Sequence, residues 1–171
     1  KMSKRFADTA LSDYIQKGYV KEALINFIGL LGWHPEGDRE VVTLEDLVRE
    51  FSLEKVQKGG AVFNQEKLDW LSSLYIKQMT NEVFVAMAKS FIPEDWHLNE
   101  AMVNSVKERI SRFGELEELL RFYFALPQYD AELLSWKGMS REKVRENLNK
   151  AKEIVAAIPG EDFQTNVLEK T

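Results

Sequence analysis

No cysteine occurs anywhere in the 171 residues, and histidine appears only twice, at His34 and His97. The first absence rules out disulfide staples; the second leaves no cluster from which a zinc site could be assembled, so no metal ligands are expected. Both fit a reducing, cytoplasmic setting. No apolar run approaches the roughly 20 residues needed to span a bilayer, and the basic N-terminus is not followed by the apolar stretch of a secretion signal. The chain also lacks a fixed-period repeat, a low-complexity tract and, beyond Thr80, any strand-like alternation. What it does have is 44% apolar residues, enough for a core at this length.

The formal net charge of −5 argues against wholesale coating of nucleic acid, but the sum hides segregation. Residues 1–21 carry five Lys/Arg against two Asp, residues 36–54 seven acids against two Arg, and residues 137–153 six bases against three acids. Basic patches on an acidic protein are therefore compatible with the composition. The chain starts with Lys rather than Met and ends in DFQTNVLEKT, where Asp162 reads as the N-cap of a helix of about two turns. It is expected to be a piece of something longer.

Helical signals dominate. Thr9 can cap a helix through DYIQK that stops at Gly18, and EALINFIGLLGW puts Leu24, Phe27, Ile28 and Leu31 on one face. GDREVVTLEDLVREF predicts a turn, a short β-like stretch at Glu40 to Val42 and a helix capped by Thr43; KGGAVFN predicts a loop with a second extended segment. QEKLDWLSSLYIKQM predicts a long amphipathic helix carrying Leu68, Leu71, Leu74, Tyr75 and Gln78 in register. Beyond Thr80 come a helix ending at Pro93, one over EAMVNSVKERISRF ending at Gly114, one running to Pro127, a short DAELLSWK, and a longer helix opened by Ser140 and closed by Pro159-Gly160. Trp33, Trp70, Trp96 and Trp136 sit in apolar helix patterns and are read as structural. A boundary is expected near Met79–Asn81, dividing 1–79 from 80–171.

The chain opens on KMSKR, Lys1 to Arg5. Two lysines on a loop with the small Ser3 between them suit a polyphosphate, since an ammonium on a long stem can follow charge as it builds on phosphate oxygens. The alternative is a basic terminus with no role. Downstream come the blocks GY..EAL.N....LGW, F.LE.V and F...KL.W....YI, in that order. KMSKR with these three blocks closely resembles the stretch that follows the signature lysine loop in bacterial glutamyl-tRNA synthetases. The resemblance is strong over about the first 78 residues and looser beyond.

That resemblance implies a mainly α fold: a stem-contact domain with a small β element over 1–79, then a helical-bundle anticodon-binding domain over 80–171 with a second subdomain mostly missing. It implies a class I ligase that joins glutamate to tRNA(Glu) using ATP and Mg2+ when full length, with the catalytic domain upstream and absent, so that the fragment holds no cofactor, is inactive alone, and is monomeric and free of membrane. Lys1, Met2, Ser3, Lys4 and Arg5 would form the ATP-binding loop. Lys4 would be the catalytic lysine, neutralising charge on the α-phosphate and the departing pyrophosphate, and Arg5 stands where the general motif has Ser.

For RNA contact, KERISRFGE supplies Lys107, Arg109 and Arg112 beside Phe113. On one continuous helix Arg109 and Arg112 would share a face, with Phe113 turned into the core under Ile110 and Val106. By family similarity Arg112 would meet the third anticodon base. Arginine is only a donor, so it suits the N3 and O2 acceptors of C and not the N1 and N2 donors of G. The alternative is a solvated arginine paired with Glu108 and Glu115. Lys67 and Lys77 flank the long helix as further candidates for the tRNA backbone. Lys137, Arg141, Lys143, Arg145, Lys150 and Lys152 are read as a solvated face paired with Glu142, Glu146 and Glu153. Two other readings stay open: a non-discriminating glutamyl- or glutaminyl-type synthetase, the latter disfavoured because its anticodon module is built of β-barrels, and a helical protein-interaction module with no RNA role.

Overall fold

The computed structural model describes residues 10–57, 59 and 62–158. Lys1 to Arg5, Thr9, Pro159-Gly160 and Asp162 lie outside them.

Helix α1, Leu11–Gln16, is started by the Ala10 N–H donating to the Asp13 carboxylate at 3.3 Å. It stops where Gly18 takes φ +87°. The Gly18 N–H returns to Ile15 O at 3.0 Å and the Tyr19 N–H to Tyr14 O at 3.1 Å, the paired bonds of a Schellman stop. Helix α2, Lys21–Gly32, follows at once and packs along α4, Gln65–Gln78, which Asn64 caps by accepting from the Lys67 N–H at 3.1 Å. Of the predicted register Leu68 and Leu71 are fully buried and Leu74 and Tyr75 partly so, but Gln78 is exposed and the buried face runs through Ser72 and Ile76 instead. On α2, however, Ile28 is exposed, lying beside Val48 and Phe51 on a surface apolar patch.

Helix α3, Leu44–Glu50, has the predicted cap. Thr43 Oγ1 accepts from the Asp46 N–H at 3.1 Å, and the Thr43 N–H donates back to the Asp46 carboxylate at 3.2 Å. The β-like stretch at Glu40 to Val42 pairs with no strand among the described residues. Its backbone is satisfied instead by the side chain of Asn26, fully buried on α2: Asn26 Nδ2 donates to Glu40 O at 3.1 Å, and the Val42 N–H donates to Asn26 Oδ1 at 3.0 Å. One side-chain amide thus does the work of a neighbouring strand and docks the segment on α2. The β content among the described residues is a single antiparallel bridge, Trp33 with Val56.

After Met79 come α5, Asn81–Ala88, and α6, Glu100–Lys107, capped by Thr80 and Asn99 respectively. A 3-10 turn, Phe113–Glu115, leads into α7, Leu116–Phe124. One apolar cluster runs from Tyr14, Val20 and Phe27 through Leu68 and Ile76 to Phe84, Val106, Phe113 and Leu120. It crosses Met79–Asn81 without a break. The compact units divide instead between Leu126 and Pro127.

The second unit, described by itself, holds short 3-10 turns at Ala131–Leu134 and Trp136–Gly138, then α8, Arg141–Ala157. Ser140 caps α8 as predicted, accepting from the Lys143 N–H at 3.3 Å. Of the four tryptophans, Trp33 is buried and Trp96 stacks on Phe124 with centroids 4.3 Å apart, but Trp70 and Trp136 are 44% and 67% exposed. For these two, an apolar-looking pattern did not mean burial.

Candidate nucleic-acid interface

The helix expected to reach Gly114 ends at Lys107. Both the Arg109 and Ile110 N–H groups bond to Val106 O, at 2.9 and 3.2 Å, and Arg112 is extended at φ −155°, ψ 151°. Further on, the Phe113 and Gly114 N–H groups are diverted across the fold to Gly18 O at 2.9 Å and Lys17 O at 3.2 Å. The 4, 4, 3 spacing of Met102, Val106, Ile110 and Phe113 is met by a turn that buries Ile110 and Phe113 without continuing the helix. Arg109 and Arg112 consequently do not share a helix face. Phe113 is fully buried, as expected.

The five described cations expected at RNA are not equivalent. Lys107 Nζ donates to Met79 O, the C-cap carbonyl of α4, and to Asn81 Oδ1 at 3.4 Å, so it ties α6 to the α4–α5 junction. Lys67 pairs with Glu40 at 2.7 Å and Lys77 with Glu108 at 3.4 Å. Such pairs near the surface contribute little and can be exchanged for a phosphate. The Arg109 side chain is exposed and has no hydrogen-bond or ion-pair partner among the described residues.

Arg112 sits in a polar junction. Its Nη1 donates to the Tyr19 hydroxyl at 2.8 Å and lies 3.8 Å from the Asp69 carboxylate, while its Nε pairs with Glu115 at 3.2 Å. Nη2 makes no hydrogen bond among the described residues, and the side chain is 37% exposed. The Tyr19 hydroxyl in turn donates to Asp69 Oδ1 and accepts a second bond from Gln65 Nε2 at 2.6 Å. Burial, followed by the Asp69 hydrogen bond, pushes the Tyr19 phenol up to about 12 despite the opposing Arg112 charge. Partial burial works against the Arg112 charge, but the Tyr19 oxygen, Glu115 and Asp69 outweigh it and hold its pKa above the usual arginine value.

Tyr19, Gln65 and Asp69 were not among the residues singled out by sequence. Tyr19 contacts a residue 93 positions away, and no local period carries that information. In the second unit, Lys143 and Lys150 both pair with Glu146, at 3.0 and 2.8 Å, as the solvated-face reading expects. Lys137 lies 5.6 Å from the Trp136 ring centre. No group of three or more His, Asp or Glu that could hold a metal occurs among the described residues, and no described helix is long and apolar enough to cross a membrane.

Comparison with known proteins matches residues 1–70 to the family described as tRNA synthetases class I (E and Q), catalytic domain, and residues 83–171 to the anticodon binding domain family. A glutamate–tRNA ligase of Clostridium novyi is 38% identical over 146 residues, covering 81% of this chain and 30% of the relative. That of Finegoldia magna is 31% identical over 180 aligned positions, covering 99% of this chain and 36% of the relative. The crystal structure of a glutamate tRNA ligase from Elizabethkingia meningosepticum in complex with its amino acid superposes with a TM-score of 0.73 at 28% identity, over 96% of this chain and 34% of that one. The chain spans about a third of the length of these relatives. With the anticodon-binding match covering more than half of it, the chain belongs to the anticodon binding domain family, and its first 70 residues match the class I tRNA synthetases of the E and Q group.

Proposed function

We propose that this chain is the tRNA-recognising portion of a cytoplasmic, monomeric enzyme that ligates glutamate to tRNA(Glu) with ATP and Mg2+, residues 1–79 serving the acceptor side and stem and residues 80–171 the anticodon. The observation that carries the reading is the succession, within one chain, of a class I synthetase match and an anticodon-binding match. In this reading Lys1 to Arg5 close over ATP, and Lys4 offsets charge at the reacting phosphate. They lie outside the described residues, and the chain by itself is expected to be inactive.

Unpaired anticodon bases are read by hydrogen bonds to their exposed edges and by stacking. Of the five candidate cations Arg109 is the one best placed to meet phosphate, because nothing within the described residues competes for its side chain. Arg112 keeps its Nη2 donors for a base edge while Glu115 and Tyr19 hold the rest of the guanidinium. Donors there favour the acceptors of C over the donors of G by about 1–3 kcal/mol. Lys67 and Lys77 can release their carboxylates to the tRNA backbone, whereas Lys107 serves the fold first. The test uses the longer enzyme carrying Arg112→Gln. Charging of glutamine tRNA with glutamate is expected to rise, and unchanged selectivity would remove Arg112 from the reading.

A further inference from the structure

The Tyr19 hydroxyl has one proton to donate and two lone pairs to accept with, and all three are used: it donates to Asp69 and accepts from Gln65 and Arg112. Its partners come from two regions far apart in sequence, α4 and the turn after α6. Tyr19 itself is only 4% exposed, too deep to touch an RNA. Beside it, the corner at Lys17 and Gly18 takes the backbone N–H groups of Phe113 and Gly114. There is no space between the two backbones, since a Cβ on Gly18 would come within 2.5 Å of Gly114 N. Arg112 is thus clasped from both ends, at Nη1 by the tyrosine and at Nε by Glu115, with Arg109 three residues upstream on the same turn.

We propose that Tyr19 is the positioning residue for this cationic turn: its hydroxyl, oriented by Asp69 and Gln65, sets the direction of the Arg112 guanidinium. The functional part of the claim rests on the RNA-binding reading above. The positional part stands on the geometry alone. A guanidinium held at two edges has lost the rotamer freedom it would otherwise give up on meeting RNA, so releasing it weakens binding without removing any contact.

The experiment compares the wild-type chain with Tyr19→Phe, which keeps the ring in the core and removes the hydroxyl with its three hydrogen bonds. Two quantities are read: the NMR signal of the Arg112 Nε–H, and the Kd for tRNA(Glu) across a salt series. The expected result is a broadened or rapidly exchanging Arg112 signal, and a Kd raised about tenfold with an unchanged salt slope, because no phosphate contact is lost. A side chain that only stabilises the fold would lower the melting temperature and leave the Kd of the folded protein alone. Asp69→Asn keeps an oxygen to accept from Tyr19 and is expected to stay near wild type, whereas Asp69→Leu, which removes both the acceptor of Tyr19 and a carboxylate 3.8 Å from Arg112, should loosen Arg112 at least as much as Tyr19→Phe; this pair carries the test if Tyr19→Phe folds poorly. An unchanged Arg112 signal in Tyr19→Phe and Asp69→Leu overturns the positional claim whatever the RNA does. A lost signal with an unchanged Kd overturns the proposed effect on RNA. If the wild-type chain binds no tRNA, the RNA reading has failed on its own, and the Arg112 signal still decides the positional claim.

Discussion

Replacing Gly18 with alanine tests how tightly the corner after α1 is joined to the turn after α6. The added Cβ would lie 2.5 Å from Gly114 N, 2.7 Å from Phe113 N and 2.9 Å from Phe113 Cα, all backbone atoms that cannot swing aside. Opening the gap breaks the bonds of Phe113 to Gly18 and Gly114 to Lys17, worth about 1 kcal/mol each. Alanine at φ +87° adds about 1–2 kcal/mol of steric cost, giving about 3–4 kcal/mol in total. Two controls separate the contributions. Gly37 has φ +75° but no neighbour within 4 Å of a Cβ, so Gly37→Ala should carry the conformational cost alone, about 1–2 kcal/mol. Gly114→Ala places its Cβ 2.6 Å from Lys17 O without a positive φ, so it should carry the contact cost alone, about 2 kcal/mol. Urea unfolding gives the totals, and hydrogen exchange at the Phe113 and Gly114 amides reports the junction directly. If Gly18→Ala costs no more than Gly37→Ala and those two amides stay protected, the close approach is not real and the reasoning fails.

Three further outcomes are expected. Asn26→Ala removes the partner of Glu40 O, the Val42 N–H and the Tyr75 hydroxyl, the last at 3.1 Å, and leaves a buried amide unpaired, so it should cost about 2–4 kcal/mol in urea unfolding. Loss of the Thr43 cap by Thr43→Ala should cost only about 1 kcal/mol in the same assay. Because the Tyr19 phenol is raised in the folded state to about 12, its contribution is complete below the unfolded value of about 10 and is lost as pH climbs from there through 12. Alkaline stability of wild type should therefore fall more steeply over that window than that of Tyr19→Phe; parallel curves would contradict the buried junction.

Helix α4 was legible because the apolar stripe of QEKLDWLSSLYIKQM keeps a helical period over its whole length. The stop at Gly18, the Thr43 and Ser140 caps, and the burial of Phe113 were legible too. What local pattern could not carry were the places where a backbone donor finds a distant partner. Ile110 and Phe113 satisfy a helical spacing, yet the chain leaves the helix at Lys107 because the amides of Phe113 and Gly114 bond to a corner almost a hundred residues earlier. Glu40 to Val42 has strand-like residues but finds an asparagine side chain instead of a strand. At the candidate interface, sequence supplied five candidate cations, Lys67, Lys77, Lys107, Arg109 and Arg112. It could not rank Arg109, which is open, above Lys107, which is committed to the Met79 carbonyl, since that depends on what each amine or guanidinium finds within a few ångströms.

The central claim, that this chain is built to hold a tRNA, is tested most directly by titrating it with tRNA(Glu) at a series of salt concentrations from about 50 to 200 mM. The account predicts that log K falls linearly with log salt and that Arg109→Ala lowers the magnitude of the slope by about one. No binding at the lowest salt, or an affinity indifferent to both salt and Arg109→Ala, would contradict it.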